Sequence, residues 1–122
     1  MITPLEVVQQ DLDGRFDEVP AFTRVPMDRP GLFIRVDSGA PFALSPVQDR
    51  TVIIVQVYGD EDHYEDVIEL IGRVREFMRW GITQLDEDIQ GWDELSGPVE
   101  FPDPDVGSLF RWQLTGQLYT TV

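Results

Sequence analysis

The chain predicts an α+β domain. It is a two-layer α/β sandwich in which a short N-terminal helix and one long central helix pack on a mostly antiparallel sheet of about four strands. Three observations predict it. Thr51 to Tyr58 is a short run rich in β-branched residues, with Val52, Ile53, Ile54, Val55 and Val57, bounded by Gly59-Asp60. The period then changes, and Tyr64, Val67, Ile68, Ile71, Val74, Phe77 and Met78 recur on one helical face. From Leu109 onward, apolar and polar residues alternate as in a half-buried strand.

The elements follow in order. Thr3 suits an N-cap, with Pro4 at the first helical position and Glu6 three residues after Thr3. Leu5, Val8 and Leu12 give that helix its apolar stripe, and Gly14 marks its expected end. Residues 15–30 carry three prolines and several charges and read as an extended linker. Gly31 to Val36 reads as a strand, with Leu32, Ile34 and Val36 on one side and Phe33 and Arg35 on the other. Gly39, Pro41 and Pro46 make the next segment a loop, and 37–50 a candidate mobile arm. Phe42, Ala43 and Leu44 are unusually apolar for such a loop and are candidate docking residues.

The central helix has a plausible N-cap in Asp60. Glu61, Asp62, Glu65 and Asp66 crowd its first turns, Arg73, Arg75 and Arg79 its last turns, and Gly81 follows. That order complements the helix dipole. Between residues 82 and 107, a helical turn through Leu85, Ile89 and Trp92 competes with a strand over Ile89 to Leu95. The strand is favoured, ending before Gly97-Pro98. In the last segment Phe110, Trp112, Leu114, Leu118 and Val122 share one face, and Arg111, Gln113, Thr115, Gln117 and Thr121 the other. Gly116 is a candidate bulge.

With 122 residues, 42% of them hydrophobic, the chain is one domain spanning 1–122. The 23 acidic residues against 9 basic ones give a formal net charge of −14. That balance opposes binding to nucleic acid or to anionic membrane by surface attraction. The basic residues are Arg, which favours specific pairing over a diffuse field. The absence of cysteine removes disulfides, thiolate metal sites and cysteine nucleophiles, and fits a reducing compartment. No run has the apolar length of a membrane span, and the acidic start lacks the basic region of a signal peptide. Use in the cytoplasm, or assembly there into something larger, is the expectation.

No residue set carries the spacing of a catalytic motif, so no catalytic, metal or cofactor site is expected. His63 is the sole histidine and reads as an exposed first-turn residue. Asp60, Glu61, Asp62, Glu65 and Asp66 lack the spacing of a calcium loop, and the helix dipole accounts for them. Asp86 to Asp88 reads as a solvated loop. Ser38, Ser45, Ser96 and Ser108 lack a nucleophile elbow. Trp80, Trp92 and Trp112 read as core or interface, because no basic groove accompanies them. The long C-terminal strand suggests a partner instead. At about 13 residues against a usual ~5–6, it would overhang its neighbours and expose an edge. Edge pairing between copies would be heterologous and could close a ring. The expected self-interface is Arg111, Gln113, Thr115, Gln117 and Tyr119.

Four segments carry a resemblance in pattern: PLEVVQQDL, GLFIRVD, DRTVIIVQVYGDEDHYEDVIELIGRVREFM, and ELSGPVEFPDPD with RWQLTGQLYTTV. In that layout the chain resembles the tail terminator, or tail completion, proteins of long-tailed phages, including the minor-tail-protein-U-like group. The resemblance implies a virion structural protein with no chemistry of its own. Members form a ring, commonly a hexamer, that caps the tail tube, stops its polymerisation and joins it to the head. The implied partners are further copies of the chain, the tail tube protein and head–tail connector proteins. DNA would be met only in transit, past a wall whose negative charge repels phosphate. Head–tail connector adaptors of similar fold are the alternative, and a small acidic metal-binding or enzymatic domain is a second.

Overall fold

The computed structural model describes residues 3–122. Helix α1 spans Pro4–Arg15 and is followed by the short strand β1, Ala21–Phe22. Strands β2 (Leu32–Ser38), β3 (Phe42–Ser45) and β4 (Gln48–Gly59) come next. A 3₁₀ turn over Glu61–His63 leads into α2, Tyr64–Trp80, and then the single turn α3, Ile82–Leu85. Strand β5 covers Ile89–Glu100, and β6 covers Phe110–Thr121.

The six strands form one sheet in the order β1-β2-β4-β6-β5, with β3 also paired to β4. All pairs are antiparallel except β1 with β2. The α+β class and the two-layer arrangement agree with the sequence. The strand count is higher than expected because β1 and β3 add to the four longer strands. Residues 42–50 are not a loop: β3 folds back on the first residues of β4 as a hairpin.

Local chemistry explains the helix starts. Thr3 has an extended backbone, its hydroxyl accepts the Glu6 N–H at 3.2 Å, and Pro4 opens α1. Asp60 accepts the Asp62 N–H at 3.1 Å and so caps the 3₁₀ turn that feeds α2. This corrects its expected role as the cap of α2 itself: that helix starts at Tyr64, with His63 at the cap position and no side-chain cap. Gly59 lets β4 pass directly beneath this turn, because a Cβ there would overlap the Val67 side chain.

The main core lies between the helices and one sheet face. Val8 and Leu12 of α1 and Val67, Ile71, Val74 and Met78 of α2 cover Ile34, Val36, Ile53, Val55, Val57, Leu114 and Leu118. Burying each such side chain contributes roughly 1.5–3 kcal/mol. Tyr64 and Ile68, expected on the core face of α2, lie at its margin and stay partly exposed. Tyr64 instead packs edge-on against Phe110, with ring centroids 4.6 Å apart.

Strand β6 lies between β4 and β5 and pairs along its length with β4. Its backbone is therefore used internally, and the expectation of a free C-terminal edge is corrected. The outer strand is β5, which continues through Gly97-Pro98 to Glu100. The expected bulge near Gly116 also belongs to β5, whose register against β6 shifts at three places. Gly116 itself makes room for the Trp92 indole, which a Cβ would overlap.

Candidate interaction surface

The register of the strands sorts their side chains onto two faces. The helices cover one. The other carries Phe33, Arg35 and Asp37 of β2, then Tyr58, Gln56, Ile54, Val52 and Arg50 of β4. Arg111, Gln113, Thr115, Gln117 and Tyr119 of β6 continue it, with Val99 and Asp93 of β5 beyond. All five residues expected at the self-interface therefore share this helix-free face. They reach it as side chains in mid-sheet, not as an exposed backbone edge.

One end of this face is closed. Phe33 and Tyr58 stack with centroids 4.8 Å apart, and Val106, Phe22, Val25 and Leu109 cover them. The segment carrying Val106 is fastened by buried charges. Asp103 Oδ2 accepts the Tyr58 hydroxyl at 2.8 Å and lies 3.6 Å from Arg111 Nη1. Arg111 also donates to the carbonyls of Phe101 at 2.6 Å and Pro102 at 3.3 Å. Burial pushes the Asp103 carboxyl up, but the Tyr58 hydroxyl, the Asp105 N–H, Arg111 and Arg35 outweigh it and hold it below the usual range. Arg111 is thus buried in a structural network, and the accessible part of the expected interface is Gln113, Thr115, Gln117 and Tyr119. No local pattern in the sequence marked Asp103 or Tyr58, because their contacts join segments far apart in the chain.

The rest of the face is open and poor in acid. Asp37 and Asp93 are the two carboxylates that the register places there, against 23 in the chain. Both have partners: Asp37 lies 3.8 Å from Arg35, and Asp93 accepts the Tyr119 hydroxyl at 2.9 Å. Gln56 Oε1 and Arg35 Nε, neighbours across β2 and β4, are buried with no hydrogen-bond partner among the described residues. At the far end the β3–β4 hairpin exposes Phe42, Ala43 and Leu44, together with Val47 beyond them. The docking residues read from the sequence are thus the outer strand of a hairpin.

The remaining ionisable groups make local pairs. Asp60 Oδ1 lies 2.6 Å from His63 Nδ1, and this hydrogen bond raises the His63 pKa and lowers that of Asp60. Arg75 grips Glu94 through two hydrogen bonds of 2.7 and 2.8 Å, tying α2 to β5. The hydrogen bond from Arg75 is the main cause of the lowered Glu94 pKa. Among the described residues, no three His, Cys, Asp or Glu side chains converge as a metal ion would require. Among them, too, no helix is long and apolar enough to cross a membrane. No protein-family model matches the chain, and neither does any curated protein.

Proposed function

We propose that this chain is a structural protein of a phage tail, a tail terminator that assembles with copies of itself into a ring at the head-proximal end of the tail tube. The layout of helices and strands that resembles that family supports the reading. The observation that carries it is the open, acid-poor sheet face beside an exposed apolar hairpin. Copies of a chain with net charge −14 repel one another, so contact is favoured where carboxylates are few. From the rows of Gln56 and Gln113 to those of Arg50 and Tyr119, four strands present about 450 Å² in projection. That is more than half of the ~800 Å² one partner buries in a standard interface. The face is amide- and hydroxyl-rich and only partly apolar, as suits a subunit that must stay soluble before assembly.

Electron microscopy of the purified protein, alone and mixed with tail tubes or with portal complexes, tests the reading. Rings that cap tube ends are the expected result. Capture by portal and not by tube would instead assign the chain to the connector adaptors. Particles that stay single beside tube ends and portals would overturn both. Thr115→Arg, which adds charge to the open face without touching the helix-side core, is expected to abolish rings while circular dichroism stays unchanged.

A further inference from the structure

At the hairpin end of the sheet, two unlike features lie on opposite faces. On the helix-free face the Arg50 guanidinium sits over the Phe42 ring, 5.0 Å from its centroid. That ring is 58% exposed. Arg50 takes part in no ion pair among the described residues. The pair forms a projecting knob, an aromatic ring backed by an unneutralised cation.

On the helical side of the same end is a cavity of about 530 Å³. Pro4, Val7 and Ile89 give it an apolar lining, and Asp49, Asp86 and Asp88 carry its charge. None of these three carboxylates has a cationic partner among the described residues. Among the described residues the Asp86 carboxylate accepts only the Asp88 N–H, at 3.0 Å. The crowding is felt nearby: the half-buried Asp11 has its pKa pushed up to about 6, by burial first and by Asp86 second. The volume falls within the ~300–1,000 Å³ of ligand cavities, with room for a ring and a guanidinium.

We infer that the Phe42–Arg50 knob of one copy docks in this cavity of a second copy, with the ring against Pro4, Val7 and Ile89 and the guanidinium among Asp49, Asp86 and Asp88. The inference rests on the self-assembly reading above and adds the surfaces that meet. Charge complementarity selects the occupant, because aromatic and cation on one side match apolar wall and carboxylates on the other. Knob and cavity are different surfaces, so the contact is heterologous and propagates from copy to copy until it closes. A face-to-face contact would stop at two copies.

Sedimentation velocity on folded variants tests the contact. Arg50→Glu spoils the knob, and Asp86→Arg with Asp88→Arg spoils the cavity. Each variant alone is expected to self-associate about tenfold more weakly or worse. An equimolar mixture is expected to assemble, because each altered knob then meets an altered cavity and each native knob a native one. Phe42→Ala, which leaves every charge in place, should weaken assembly of the wild-type partners. If Arg50→Glu assembles like the wild type, or the mixture stays dissociated, the docking is wrong although self-assembly stands. A wild-type chain that remains single beside tube ends removes the self-assembly reading and this contact with it.

Discussion

Asp103→Ala should cost about 3 kcal/mol of stability, and the network around Asp103 sets that figure. The Asp103 and Arg111 side chains are 9% and 8% exposed, so neither charge has water to fall back on. Alanine would leave the Tyr58 hydroxyl without its acceptor and the Arg111 guanidinium without its counter-charge. Breaking a buried pair from one side costs about 3–5 kcal/mol. The lower end applies here, because Arg111 would keep the Phe101 and Pro102 carbonyls and its place 5.1 Å from the Phe101 ring centroid. With an m-value of about 2 kcal/mol/M, the urea midpoint should fall by about 1.5 M. The double change Asp103→Leu with Arg111→Met should cost less than the two single changes added together, since an apolar pair needs no counter-charge, while the Tyr58 hydroxyl and the Phe101 and Pro102 carbonyls stay without their partners. The pH dependence follows from the direction of the shift. The folded pKa of Asp103 lies below its unfolded value of about 3.9, so its contribution is complete above that value and is lost as pH falls through the folded pKa. The variant should lack this acid-side loss. A midpoint shift under about 0.5 M, or a double variant as unstable as the two single changes added together, would refute the account.

Two further outcomes are expected. Gly116→Ala should destabilise by about 1–3 kcal/mol, because its Cβ overlaps the Trp92 indole, and adding Trp92→Ala should cost less than the sum of the single effects in a thermal double-mutant cycle. Asp11→Asn should stabilise at pH 7 by an amount on the order of 2 kcal/mol. The folded pKa of Asp11 is raised to about 6, so the wild type loses stability as pH rises from about 4 to 6 and the variant does not; parallel losses in both chains would count against it.

What the sequence revealed depended on how local each cause was. Thr3-Pro4 acts on backbone groups within three residues, so the start of α1 was legible, whereas Asp60 caps a 3₁₀ turn and the start of α2 at Tyr64 carries no side-chain cap to read. The core face of α2 and the alternation in β6 were legible because a period is visible within one segment. The neighbours of β6 were not, because strand order depends on pairing between distant segments. Strand β3 was hidden because Gly39, Pro41 and Pro46 punctuate it and its residues are exposed, leaving no buried face to alternate. The full extent of β5 was hidden by its register shifts, which break the two-residue period, and by Pro98, which an outer strand tolerates. On β6 the sequence grouped five residues that do share the helix-free face but could not separate Arg111, whose partner Asp103 lies in the turn before the strand. The apolar character of Phe42 and Leu44 was visible in composition, whereas the stacking of Arg50 on Phe42 required the hairpin.

The central position of the last strand bears on how the molecule comes together. Strand β4 waits for β6, whose partners lie roughly fifty to seventy residues further along, before its second edge is filled. Folding of sheets dominated by such non-local pairs is slow, on the millisecond-to-second scale. Until β6 pairs with β4, the row of amides that the two strands share does not exist as a surface. The surfaces proposed for self-association are therefore complete only once β6 is seated, and a delay in that step would leave the β4 edge open meanwhile.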